Sequence, residues 1–304
     1  MVGDPTNANR FYVAVSGASG GIFRSTDGGA SWVNVTPIDS LIGATTNNME
    51  MAVNRSAGVL YLGVVNNGQL VRFFRSATQG TSWTQMDIPQ TIEGGVPIGI
   101  QPNPKPGAQG AIHFAIAADP TNVNIVYVGG DRQPGPFPIS IGALNYMVRL
   151  CRRNAALPPA NQWTTLTHSG TSDNSGPLAD ARESVFDAAG NLIEGDDGGI
   201  YRRTSPTTNT GVWQSLNGNL QITEFHSVAY DRVSNIVIGG TQDVGTAEQV
   251  STGSQTWRTV NQGDGGVVAV DDSSDSQSVR YTSSQFLGGF RRRTVSPSNV
   301  VTDT

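Results

Sequence analysis

Short runs of alternating apolar and polar residues recur along the whole chain, set apart by clusters of Gly, Pro, Asn, Asp and Ser. Alternation over about four to eight residues between turn signals marks half-buried strands. The clearest series reads Phe11-Tyr12-Val13-Ala14-Val15, Val59-Leu60-Tyr61-Leu62-Gly63 and Ile125-Val126-Tyr127-Val128-Gly129. It continues with Asn191-Leu192-Ile193-Glu194-Gly195, Asn235-Ile236-Val237-Ile238-Gly239 and Ser278-Val279-Arg280-Tyr281-Thr282. From Tyr12, Tyr61, Tyr127, Ile193, Val237 and Tyr281 the steps are 49, 66, 66, 44 and 44 residues.

Most of these runs follow another strand and a turn, as in Phe114 to Asn122, Ser227 to Asp231 and Val267 to Asp272. Asp119-Pro120-Thr121-Asn122 is type I turn chemistry, with Asp accepting backbone amides and Pro presetting φ. A third strand follows each landmark, for example Gly21-Ile22-Phe23-Arg24, and then a fourth that opens on tryptophan. Trp32, Trp83, Trp163, Trp213 and Trp257 are separated by 51, 80, 50 and 44 residues. Four short strands per roughly 40–50 residues predict an all-β fold, a β-propeller of four-stranded blades with six blades readable. No segment has a helical period, and no apolar run has the length of a membrane span.

Two stretches lengthen the period. Residues 88–110 and 129–145 are proline-rich, and since Pro is barred from central strands both are expected to be loop insertions. Only five first strands are readable against six second strands, because the chain opens on the turn Asp4-Pro5-Thr6-Asn7. The expectation is therefore a propeller of 1–304 that is a piece of, or a module in, a larger protein.

Composition narrows the function. Nineteen basic against 24 acidic residues give a formal charge of −5, without the basic footprint of a nucleic-acid binder. The single cysteine, Cys151, excludes an internal disulfide and a cysteine-rich metal site. His113, His168 and His226 lack paired metal spacing, and Asp271-Asp272-Ser273-Ser274-Asp275 lacks an EF-hand's spaced ligands, so no metal and no cofactor is expected. Arg152-Arg153 and Arg291-Arg292-Arg293 read as solvated strand faces, with alternation turning one arginine of the triplet inward toward a channel carboxylate.

Residues 25–32, Ser-Thr-Asp-Gly-Gly-Ala-Ser-Trp, resemble the Asp-box (BNR repeat) of sialidase-like and sortilin-like β-propellers at Ser25, Asp27, Gly29 and Trp32. A degenerate copy keeps Ser76, Gly80 and Trp83 but has Thr78 at the box aspartate. Glu194 to Arg202, Gly239 to Gly245 and Gly263 to Gly266 are similar to recurring blade phrases of that superfamily. The resemblance implies a structural role for the box residues: the aspartate accepts turn amides and the Trp packs over the hairpin. It also implies a secreted or cell-surface protein. It carries over no catalytic positions, because the Arg-Ile-Pro strand of sialidases is absent.

Ligand sites in propellers favour the face shared by the connections between second and third strands and the connections between blades. The register places Asp131, Arg132, Asp196, Asp197, Gln242, Asp243 and Gln285 in the first set, and Asp180, Arg182, Glu224, His226 and Asp264 in the second. From these, Asp131, Arg132, Asp180, Arg182, Asp197, His226, Gln242, Asp243 and Asp264 are the candidate ligand-binding residues. Aspartates in Gly-rich turns are also ordinary turn residues. The expected function is a non-catalytic scaffold recognising a carbohydrate or a protein surface. The alternative is a glycoside hydrolase using channel-face carboxylates as acid and base.

Overall fold

A computed structural model describes residues 1–103, 108–158 and 161–304, so Pro104, Lys105 and Pro106 of the first proline-rich stretch lie outside the described residues. Two compact units are present, Met1–Leu220 and Gln221–Thr304. Among the described residues there is no α-helix, and none long and apolar enough to cross a membrane.

The first unit holds four four-stranded antiparallel sheets, each in simple up-and-down order. Sheet one is β1 (Val2–Gly3), β2 (Phe11–Val15), β3 (Gly21–Ser25) and β4 (Val33–Asn34). Sheet two is β5 (Thr46–Val53), β6 (Leu60–Asn66), β7 (Gln69–Ser76) and β8 (Thr84–Met86). A hairpin, β9 (Thr91–Glu93) with β10 (Val96–Ile98), precedes sheet three. Sheet three is β11 (Ala115–Ala118), β12 (Ile125–Arg132), β13 (Val148–Asn154) and β14 (Trp163–Thr165). Sheet four is β15 (Glu183–Phe186), β16 (Leu192–Asp196), β17 (Gly199–Arg203) and β18 (Trp213–Ser215). The second unit holds two more: β19 (Phe225–Asp231), β20 (Ile236–Thr241), β21 (Gly245–Gln249) and β22 (Trp257–Asn261), then β23 (Ala269–Asp271), β24 (Ser278–Thr282), β25 (Arg291–Val295) and β26 (Val301–Asp303).

The turn between first and second strands is built the same way in all six sheets. Asp4, Asn54, Asp119, Asp187, Asp231 and Asp271 each accept, on a side-chain oxygen, the amide two residues further on. An Asx turn fixes the reversal locally, before any tertiary contact forms. The first strand of sheet one is only Val2–Gly3, paired with Tyr12 and Phe11, and so is too short to show as a pattern.

The sheets of the first unit bury their faces on one another. Tyr12 and Ile22 pack with Met51, Leu62 and Phe74 between sheets one and two. Tyr61 and Phe73 pack with Ile116 and Val128 between sheets two and three. Tyr127 and Leu150 pack with Leu192 and Trp213 between sheets three and four. Three tryptophans staple the same interfaces. Trp83 donates its indole N–H to the Val35 carbonyl at 2.7 Å, Trp163 to Asp87 at 3.1 Å and Trp213 to Leu166 at 2.9 Å. Each acceptor directly follows the last strand of the preceding sheet or lies one residue beyond it. Trp32 instead donates to Gly29 of its own turn and is 40% exposed. Trp213 is the most buried of these. Trp213→Phe keeps the ring but strands a buried carbonyl, and is expected to lower stability by about 1–3 kcal/mol in a urea titration.

The Ser25–Trp32 turn has the geometry its residue types demand. Ser25 Oγ accepts the Gly29 amide at 2.8 Å, while Asp27 accepts the Ser31 amide at 2.9 Å and the Ser31 hydroxyl at 2.5 Å. The Ser31 hydroxyl and amide lead in holding the Asp27 carboxyl down at about 2. In the second copy Thr78 does the aspartate's work: its hydroxyl oxygen accepts the Ser82 amide at 2.8 Å, and Ser76 accepts Gly80.

The proline-rich stretches are partly ordered into the sheets. β12 runs on to Arg132, and Pro97 sits in the two-stranded hairpin, where a missing N–H is tolerated. Glu93 of that hairpin accepts the Ser140 amide and hydroxyl, both at 2.8 Å, which ties the two insertions together. Buried Arg149 donates to Thr91, Ile98 and Gln133, fastening the hairpin to β13.

The arginine runs are not simply solvated. Arg153 is 4% exposed and pairs with Asp87 at 2.7 Å. Arg293 does turn inward, but its partner is Glu248 on β21, at 2.9 Å. The last two sheets pack few apolar residues, chiefly Ile236, Ile238 and Val268. Ionic contacts fill the rest: Arg280 on β24 is fully buried between Asp231 and Glu248.

Candidate functional site

In the first unit, β5 packs against β11 and β11 against β15, so the first strands of successive sheets stand side by side. They enclose a cavity of ≈ 350 Å³ whose walls include Glu50, Met49, Met51, Phe114, Arg182 and Glu183. Glu50 and Glu183 occupy first-strand positions whose side chains point away from the inter-sheet apolar cores. Burial, and then the neighbouring Glu183 carboxylate, raises the Glu50 carboxyl above its ordinary range.

At one end of these strands the connections bring charged residues together. Arg182 pairs with Asp197, its Nε 2.9 Å and its terminal nitrogen 2.8 Å from the same carboxylate oxygen. The backbone fixes this pair from both sides, since the Arg182 amide donates to Gly195 on β16 and the Ala181 amide to Gly130 on β12. Asp180 precedes them with φ +76°, a left-handed backbone that Asp tolerates better than most residues.

Beneath lies His113, just ahead of β11, with Asp131 on β12 and Asp180. Its Nδ1 is 3.1 Å from an Asp180 oxygen and 3.5 Å from an Asp131 oxygen. All three residues are buried. Burial opposes charging of His113, but the two carboxylates outweigh it and raise the imidazole to about 9. Asp131 is itself raised, by its burial, against the His113 contact and a bond from the Gln109 amide. Arg132 points elsewhere: its guanidinium lies 4.4 Å from the Tyr146 ring and donates to Asn103.

A second carboxylate pair lies on β16. Glu194 is fully buried with neither oxygen hydrogen-bonded, and Asp196, two residues on, shares that face. Desolvation raises Glu194 well above its ordinary value, with Asp196 and then Asp197 adding to it. Desolvation also raises Asp196 to about 8, with Asp197 adding and the Gly198 amide and the Glu194 contact opposing.

The second unit gathers its own candidates around Asp264. One Asp264 oxygen accepts Gln242 Nε2 at 3.2 Å and the Asp243 amide at 3.0 Å, and the other accepts Gln285 Nε2 at 3.1 Å. His226 Nδ1 is 3.2 Å from the Gly265 carbonyl. Asp264 thus organises three connections, as a turn aspartate does. Glu224 contributes only its carbonyl, to the Gln242 amide.

The register therefore places Asp131, Asp180, Arg182 and Asp197 in one neighbourhood of the first unit, and His226, Gln242, Asp243 and Asp264 in one neighbourhood of the second. Arg132 belongs to neither. Pattern reading missed His113, which lacks paired metal spacing in sequence, and the cavity residues Glu50 and Glu183. Glu50 did leave a signal, as a lone acid flanked by Met49 and Met51 within a strand.

No protein-family model matches the chain, and no curated protein matches it. Among solved structures it is similar to the GH74 enzyme of Niastella koreensis, at 16% identity and a TM-score of 0.60, with 100% of this chain and 42% of that one covered. The chain thus spans less than half the length of that structure. It is also similar to PorZ, a surface component of the type-IX secretion system of Porphyromonas gingivalis, at 14% identity and a TM-score of 0.42, covering 92% of this chain and 36% of that one. A third match is YCF48 from Cyanidioschyzon merolae, at 11% identity and a TM-score of 0.36, covering 99% and 85%. The four-stranded sheets and the first of these likenesses define the chain as a β-propeller protein. At such identities the likeness extends to the fold alone.

Proposed function

We propose that this chain is a propeller-type recognition scaffold, whose ligand is a carbohydrate or the polar surface of another protein. The observation that carries this reading is the cavity of ≈ 350 Å³ between the first strands, with Glu50, Glu183 and Arg182 in its walls. A concave site with a few convergent polar groups on rigid strands is suited to hold hydroxyl or charged groups. The Arg182–Asp197 pair offers both a donor and an acceptor beside it. The resemblance of residues 25–32 to the Asp-box supports a place in the sialidase-like and sortilin-like superfamily, and with it an extracellular or cell-surface location.

One observation favours a second reading, a glycoside hydrolase. Glu50 is held toward its neutral form beside Glu183, and an acid next to a carboxylate is the pair that glycosidic cleavage requires. A glycan array with a parallel hydrolysis assay separates the two. The scaffold reading expects binding without turnover, weakened at least about tenfold by Arg182→Ala, equivalent to roughly 1.4 kcal/mol. Turnover that disappears in Glu50→Gln replaces it with the hydrolase. Binding to neither glycans nor proteins by the folded chain refutes both.

A further inference from the structure

We propose that His113, Asp131 and Asp180 form a binding site for a divalent first-row transition metal ion such as Zn²⁺, held through one imidazole nitrogen and two carboxylate oxygens. This goes beyond the recognition reading and does not depend on it.

The three donors come from three separate places along the chain. His113 precedes β11, Asp131 lies near the end of β12 and Asp180 precedes β15. Their ligand atoms all lie within 4.8 Å of one another. His113 is 2% exposed and Asp131 0%, and neither ring nitrogen of His113 has a hydrogen-bond partner. The facing oxygens, Oδ1 of Asp131 and Oδ1 of Asp180, are likewise without one. A buried histidine between two carboxylates ordinarily resolves into a hydrogen bond along its N–H direction. Here the oxygens are close enough, at 3.1 and 3.5 Å, yet lie off that axis.

Donors that flank the lone-pair axis are what a shared ion produces. Ligand atoms about 2.1 Å from one metal sit roughly 3.0 Å apart at octahedral and 3.4 Å apart at tetrahedral angles. The two observed separations match those edges. Binding displaces the His113 proton to solvent, after which two carboxylates and a neutral imidazole carry −2, which a divalent ion cancels. Outer partners hold the ligands in place, since the Gln109 amide donates to the other Asp131 oxygen, and Gln101 donates to the His113 carbonyl. The imidazole selects against Ca²⁺ and Mg²⁺, which prefer oxygen alone. Three protein donors leave a position for water or for a donor atom from a partner. The solvent side is Asp180, whose side chain is 11% exposed against 3% for His113.

The test uses the full chain without a histidine tag, stripped with a chelator and titrated with Zn²⁺ and, separately, Co²⁺. One equivalent of Zn²⁺ is expected by calorimetry and by metal analysis after gel filtration, with a rise in melting temperature. Co²⁺ is expected to give a visible d–d band and to shift the ring signals of His113 alone among the three histidines. Asp180→Asn, at the edge of the site, is expected to weaken Zn²⁺ by at least about a hundredfold, beyond the loss usual for an outer-shell partner. Should that variant misfold, Co²⁺ spectra of the wild-type chain decide. No stoichiometric uptake of either ion, or a Co²⁺ band with unmoved His113 signals, overturns the site and leaves a buried ion triad.

Discussion

Arg280→Met is expected to lower the stability of the unit at 221–304 by about 3–5 kcal/mol, the penalty for leaving buried charge unpaired. Arg280 is fully buried, with its Nε 2.8 Å from Asp231, one terminal nitrogen 3.0 Å from Glu248 and 2.8 Å from Asn299, and the other 2.5 Å from Ser234. Asp231 and Glu248 are fully buried as well. Burial alone would raise both carboxyls; hydrogen bonds from Ser278 and Arg280 hold Asp231 below its ordinary value, and Arg293 leads in doing so for Glu248. Removing the guanidinium deprives Asp231 of its cation and leaves Glu248 to Arg293 and Arg258 alone. Adding Asp231→Asn to Arg280→Met is expected to restore part of the loss, because a neutral asparagine there needs no cation while Glu248 keeps Arg293 and Arg258. Asn still caps the Val233 and Ser234 amides. Urea midpoints of the three proteins measure this, and a loss under about 1 kcal/mol in the single variant would show that the network is solvated.

The strand pattern made the architecture readable because two local devices recur, an Asx turn in all six four-stranded sheets and a tryptophan at or just before the fourth strand in five of them. The Asx turn and the tryptophan at the start of the fourth strand both act within or beside their own sheet, so their spacing survives in sequence. Packing partners do not. Arg280 and Arg293 alternate like solvent-facing residues, and only the carboxylates opposite, from β19 and β21, make them interior. Arg153 went the same way, paired with Asp87 from the end of the preceding sheet and covered by Trp163, its cross-strand neighbour on β14. β1 escaped notice because two residues carry no period, and the hairpin 91–98 because Pro97 masks a strand that has no central position.

The candidate site was half legible for a related reason. Turn register tells which connections share a face, and in the structure Asp180, Arg182 and Asp197 lie on connections while Asp131 lies within the end of β12. It says nothing about what stands beneath. His113 reads as a strand-start residue until Asp131 and Asp180 are seen on either side of its ring. Glu50 and Glu183 belong to first strands, whose polar positions turn toward the cavity only when neighbouring first strands line up.

Glu194→Gln is expected to flatten a loss of stability that the wild-type chain suffers as pH rises from about 5 to 8. Glu194 and Asp196 lie on one face of β16, the same face as Leu192 of the inter-sheet core. Asp196 accepts the Gly198 amide at 2.8 Å, and Glu194 faces no cation among the described residues, only Asp196 and Asp197. Desolvation therefore favours their neutral forms, Asp196 titrating at about 8 and Glu194 far above its ordinary value. In the unfolded chain both ionise near pH 4. Between those limits the folded state binds more protons, so stability is greatest below about pH 4 and falls as pH climbs through 8, by at most about 1.4 kcal/mol per pH unit for each carboxyl. Groups held low, such as Asp231 and Glu248, act in the opposite sense only near and below pH 4. His113, held up at about 9, and the raised Glu50 and Asp131 carboxyls add losses of the same sign, but both proteins share them, so the difference between the two profiles isolates Glu194. Glutamine keeps the shape of Glu194 and removes one of the two titrations, that of Asp196 remaining. Urea midpoints at pH 5 and 8 should then lie closer together in the variant than in the wild type, which is weaker at pH 8. Parallel pH profiles for the two proteins would mean that water reaches these carboxyls.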